Sequence, residues 1–243
     1  MKTFSTSEQL NEIKKILRNY IRLPFSDKTI PGAIMEVVLA HVRGGQVLRT
    51  YDFADVIKRD DRVGWQVKST KASTPVTWKR AKIPSSVELI KRSQSSKEGL
   101  AELGLAIINF CNAHALESLH LYNLDEIGYC RLVIHEEGAV TYFEKILCTK
   151  ESPMVFDPSS FEWRWSTPKV TKKKEQLPAL HGIHKDTGKK WWAWHGLGEN
   201  QLHFSGEGEW WPSQTDSNWF SFKMPKEEER IDLEQLMDFL SHI

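Results

Sequence analysis

Asp55, Gln66 and Lys68 fall within one short stretch, YDFADVIKRDDRVGWQVKST, residues 51–70. A carboxylate, an amide oxygen and a nearby backbone carbonyl, here that of Val67, are the hard oxygen donors that suit Mg²⁺. An ammonium beside such a cation can orient a water and stabilise charge on a phosphate. The chemistry these residue types suit is metal-assisted phosphoryl hydrolysis. Asp52, three residues upstream of Asp55, stands as an alternative acid.

Such residues must be brought together by elements. In WQVKS, strand alternation points Gln66 and Lys68 to one face and Trp65 and Val67 to the other, into a core. QVLRTYDFADVIK and GWQVKST read as two strands joined by the charged turn RDDRV. Ten residues separate Asp55 from Gln66, a hairpin interval, so pairing would set Asp55 beside Gln66. Upstream, Leu10, Ile13, Leu17 and Tyr20 share a helical face, with Ser5 and Glu8 as a capping box. Pro31 suits the first turn of a second helix, PGAIMEVVLAHV, which Gly44 and Gly45 end.

With that order, helix then hairpin, the chain resembles the PD-(D/E)XK nuclease superfamily, and within it the type II restriction endonucleases. Asp55 in FADVI matches the family's Asp, and Gln66 to Lys68 match its second element, over roughly residues 30 to 85. Ala54 stands where the family has Pro, and Gln66 where it usually has an acid, as in Mrr-like members. The resemblance implies a further Glu on the preceding helix, a place Glu36 fits, and that carboxylate would restore the charge Gln66 lacks. It also implies Mg²⁺ as cofactor, double-stranded DNA as substrate, products with 5′-phosphates and action as a homodimer. A structure-specific resolvase or repair nuclease shares this chemistry. A catalytically silent DNA-binding module, or a carbohydrate- or peptide-binding β protein built on the tryptophans, are readings from other classes.

The 243 residues carry 33 Lys and Arg against 32 Asp and Glu, a net charge of +1 that by itself favours no polyanion. The distribution is uneven: residues 58–97 hold eleven Lys or Arg and three acids. Lys71, Lys79, Arg80 and Lys82 in STKASTPVTWKRAKI follow the catalytic strand, where they would grip the duplex backbone.

The fold expected is mixed α+β: a restriction-endonuclease-like core with a central mixed sheet and flanking helices. Residues 1–155 would form it, with the catalytic hairpin at 46–70. Residues 156–243 would add a β-rich aromatic region packed on the core and a closing helix capped by Asp232. LHLYN, YCRLVIHE and AVTYFEKILC read as strands, with a tight turn at Glu137-Gly138. Eight of the ten tryptophans lie beyond residue 150, and Trp191, Trp192 and Trp194 cannot all face one side of a regular strand, which predicts some exposure. His181, His184, His195 and His203 offer a rival zinc site, though their spacing matches no established motif. Three cysteines without metal-ligand spacing, no recognisable leader and no span-length apolar run point to a cytoplasmic protein with no membrane partner.

Overall fold

The computed structural model describes residues 2–50, 52–170, 175–206 and 218–242. The protein is mixed α+β, with a mixed sheet flanked by helices. It divides into two compact units that interleave in sequence. The first takes Met1–Thr74, Ser118–Glu151 and Pro212–Ile243; the second takes Pro75–Glu117 and Ser152–Trp211. The composition change near 155 is therefore one of four crossings between units, rather than a single cut.

The first unit begins with helices α1 (Ser7–Arg22) and α2 (Gly32–Arg43). The cap of α1 is one residue later than the spacing suggested. Thr6 Oγ1 accepts from Gln9 N–H, and Gln9 Oε1 accepts from Thr6 N–H. Pro31 caps α2, and Gly44, with φ +64°, ends it. Three strands follow: β1 (Gln46–Val47), β2 (Val56–Lys58) and β3 (Val63–Lys71). β5 (Glu126–Ile134), β6 (Ala139–Thr149) and β13 (Trp219–Lys223) complete a six-stranded sheet of order β1-β2-β3-β5-β6-β13. Only β3 and β5 run parallel. Trp65 and Val67 face a core shared with Ile13, Leu17, Met35 and Leu39 of the helices, as their alternation requires. His135 N–H donates to Ala139 O at 2.8 Å, and Gly138, with φ +79°, makes the tight turn between β5 and β6. α5 (Leu233–Ser241) is capped by Asp232.

The second unit is built on an antiparallel five-stranded sheet, order β4-β12-β11-β10-β7. Its strands are β4 (Val76–Arg80), β7 (Phe161–Trp165), β10 (Leu180–His184), β11 (Lys190–Trp194) and β12 (Gln201–Phe204). β8 (Lys169–Val170) pairs with β9 (Glu175–Gln176) in a small ribbon. Helices α3 (Ser86–Ser93) and α4 (Lys97–Leu121) pack against one sheet face. Trp165 Nε1 donates to Ser93 Oγ, and a Cβ at Gly104 would lie 2.2 Å from the Trp163 ring. Only glycine allows that approach.

Four expectations are corrected here. LHLYN is not a strand, because α4 runs to Leu121 and Asn123 then turns with φ +50°. Trp219 leaves the aromatic region to join the first unit's sheet, paired with Phe143. Trp191, Trp192 and Trp194 are all buried. A bulge where β11 meets β10 breaks the alternation between Trp192 and Lys190, so Trp191 need not point opposite to Trp192. Trp210 and Trp211 lie outside the described residues. Finally, α4 is long and apolar enough by length and composition to cross a membrane. In this structure it buries Leu103, Ile107, Ile108 and Cys111 inside the protein, and that burial pushes the Cys111 thiol up to about 12.

Candidate active site

β2 and β3 pair antiparallel with Val56 opposite Trp65. The pairing runs one residue further at the backbone, where Asp55 N–H donates to Trp65 O at 2.8 Å. This seats the Asp55 side chain against β3. Its Oδ2 accepts from Val67 N–H at 2.7 Å and lies 3.6 Å from Lys68 Nζ. Both side chains are only about one-fifth exposed, Asp55 at 23% and Lys68 at 18%. The pair is therefore less screened by solvent than an ordinary surface ion pair.

Asp52 is not the acid that meets Lys68. Its Oδ2 accepts from Thr50 Oγ1 and Tyr122 OH. Proximity along the sequence left the two acids equivalent; the hairpin register separates them.

Glu36 comes from α2, whose start is tied to β3 by Ser69 Oγ donating to Ile30 O. Burial pushes the Glu36 carboxyl above its ordinary range, the Asp55 charge pushes it further, and the Lys68 ammonium pulls it back. Two carboxylates and an ammonium thus feel one another's charge, drawn from α2, the residue before β2 and β3.

Gln66 shares the strand face of Lys68 yet is 2% exposed, and its Oε1 is buried without a hydrogen-bond partner among the described residues. A buried acceptor left unsatisfied costs about 1–3 kcal/mol. Among the described residues no group of three or more His, Cys, Asp or Glu side chains is arranged to hold a metal. The oxygen atoms that could hold a hard cation are those of the Asp55 and Glu36 carboxylates and the Gln66 amide, with the Val67 carbonyl on the same strand. His181 and His184 do not form the rival site. His184 stacks on Trp191, with centroids 4.2 Å apart and planes at 9°, while His181 lines a separate pocket.

Arg131 is a buried cation next to β3 that sequence reasoning missed. The parallel register sets it opposite Lys68, and it is 1% exposed, donating to Thr70 Oγ1 at 2.8 Å and to Leu132 O. A second cation is thereby fixed on the strand beside Lys68. No signal along the chain could have found it, because β3 and β5 are separated by a long crossover.

The basic block splits. Lys71 stays exposed at the end of β3, while Lys79, Arg80 and Lys82 belong to the second unit, the first two on β4 opposite Leu202 and Gln201. A different basic surface lies within the first unit. Lys14, Lys15, Arg18 and Arg22 of α1, with Asn11 and Asn19, line a groove of about 500 Å³ closed by Pro225 and Glu229. Lys14, Arg18 and Arg22, at i, i+4 and i+8, were readable as a basic stripe flanking the face of Leu10, Ile13 and Leu17.

No protein family, curated protein or solved structure matches the chain.

Proposed function

We propose that the protein is a Mg²⁺-dependent endonuclease of double-stranded DNA with a restriction-endonuclease-like core, cutting defined sequences in the manner of type II restriction enzymes. The observation that carries this reading is the Asp55 carboxylate seated between Val67 N–H and Lys68 Nζ, within the electrostatic reach of Glu36. Asp55, Gln66, Glu36 and the Val67 carbonyl would hold the cation. When bound, Mg²⁺ would neutralise phosphate charge and lower the pKa of a coordinated water. Lys68 positions the attacking water and offsets charge on the phosphate. Asp55 in turn holds Lys68 in place, since the two lie 3.6 Å apart. The bond to the 3′ oxygen then breaks, leaving a 5′-phosphate, the polarity that the resemblance implies.

The basic groove on α1 supports a polyanionic substrate, because four cations on one helix face suit a phosphate backbone. Action as a homodimer in the cytoplasm belongs to the same proposal. α5 exposes Leu233, Met237, Phe239 and Leu240, apolar surface that pairing would cover.

Digestion of phage DNA with Mg²⁺, followed by sequencing of the ends, tests the reading. Discrete fragments with 5′-phosphates that vanish in Lys68→Ala are expected. Cleavage confined to branched DNA would favour a resolvase, and undiminished cleavage by Lys68→Ala would refute the site.

A further inference from the structure

The five-stranded sheet of the second unit has an aromatic face and a histidine face. On the latter, His181 of β10, Ala193 of β11 and His203 of β12 lie in one row across the strands. His195, just beyond β11, brings its ring to 4.9 Å from that of His203. These three imidazoles line a pocket of about 200 Å³, together with Lys190, Ser166 and Thr167.

The lining is rich in donors. Ser166 Oγ accepts from Ala179 N–H at 3.0 Å, which leaves its own hydroxyl proton to donate. His203 Nε2 lies 3.1 Å from Gln201 Oε1, so with the amide oxygen accepting, protonation would add an Nδ1–H donor. No carboxylate lines the pocket among the described residues. Besides the imidazoles, no aromatic ring lines it among the described residues. We propose that this pocket binds a small dianion of the phosphate-monoester class.

The charge arrangement adds a consequence. Burial holds both His195 and His203 below the ordinary imidazole range, and each also feels Lys190; the His195 charge lowers His203 further. Glu199, in the turn between β11 and β12, opposes these effects on both rings. Arg164 of β7 is opposite His181 in register. A bound dianion supplies the negative charge that the rings lack, so it raises their proton affinity. By linkage, the dianion then binds more tightly as pH falls.

The proposal is independent of the nuclease reading and is tested without DNA cleavage. Sulfate keeps its double charge across the histidine range, so any pH dependence of its binding belongs to the protein. Calorimetry with sulfate at about pH 5.5 and about pH 7.5 should show at least about tenfold tighter binding at the lower value. In the unaltered protein, the ring resonances of His195 and His203 should shift on adding sulfate, with their titration midpoints moving up. Combining His195→Gln with His203→Gln should weaken binding at least about tenfold while circular dichroism is unchanged. A nucleoside 5′-monophosphate and a 5′-phosphorylated oligonucleotide, each compared with its unphosphorylated form, distinguish a free small ligand from a strand end. Equal affinity of the two phosphorylated probes assigns the former, and tighter binding of the oligonucleotide the latter. No sulfate binding at the lower pH, equal affinity at both, unmoved ring resonances, or indifference to the 5′-phosphate would each overturn it.

Discussion

The six-stranded sheet buries Gln66, Arg131 and Glu144 within it, whereas the five-stranded sheet buries Trp78, Trp192, Trp194 and Phe204. In the second, Phe156 packs edge-on to Trp192 at 4.8 Å, and Trp78 to Phe204 at 5.2 Å. Such edge-to-face clusters bury large area with few polar atoms to satisfy. Trp194 Nε1 finds Ala81 O at 3.1 Å, but the buried Nε1 atoms of Trp191 and Trp192 have no hydrogen-bond partner among the described residues. In the first sheet the buried polar groups need partners, and Glu144 has them: Ser5 N–H, Ser5 Oγ and Tyr142 OH all donate to it. Burial nevertheless holds the Glu144 carboxyl above its usual range. Among the described residues, Gln66 Oε1 is the group in that sheet left unsatisfied. The bare Gln66 oxygen sits on the strand that carries Lys68, whereas the bare indole N–H groups lie within an aromatic core.

Lys68→Ala breaks the comparison at its most sensitive point. Cleavage should fall by about a thousandfold or more, with DNA binding changed only a fewfold, measured by single-turnover cleavage and binding titration. Trp192→Ala should act on stability instead. Loss of a fully buried indole should cost about 3–5 kcal/mol, read as a lowered urea midpoint. An unchanged midpoint would mean that the aromatic cluster is not a core.

The basic surfaces sharpen the contrast further. Replacing Lys14, Lys15 and Arg18 by Ala should reduce the log–log salt slope of DNA binding by about one unit for each phosphate that is no longer neutralised. The pair Lys79→Ala and Arg80→Ala, on the other sheet, provides the matched comparison. If only the second pair moves the slope, the α1 groove is a solvated face and the second unit grips the backbone.

The smallest effects concern the proposed metal donors. Gln66→Glu should lower the Mg²⁺ concentration needed for half-maximal cleavage, and Glu36→Gln should raise it. If both leave the midpoint unmoved, neither side chain serves the cation. Glu36→Gln should also stabilise the metal-free protein. The raised carboxyl means that ionisation is disfavoured in the folded state. Its cost therefore appears as pH rises from the ordinary Glu value through the raised one, and persists above it. At neutral pH the variant should melt higher by about 1 °C, a small effect because the group is partly solvated. Below about pH 4, where both states hold the proton, the gain should vanish.

The amino-acid sequence by itself determined the local elements whose signals lie within a few residues. The alternation of WQVKS placed Trp65 and Val67 in the core, Gly44 ended α2, Gly138 made its turn and Asp232 capped α5. It also placed Asp55, Gln66 and Lys68 on one hairpin, because antiparallel neighbours are joined by a short turn. Tertiary structure alone decided the rest. Asp55 and Asp52 differ in their partners, not in their local sequence, and only the register with β3 gives Asp55 the Val67 N–H. Arg131 reaches β3 through parallel pairing, whose crossover carries no local signature of register. Lys79 and Arg80 follow Lys68 closely along the chain, yet β4 enters a different sheet, since its buried Val76 and Trp78 find their aromatic partners there. Burial of large side chains outweighs nearness in sequence.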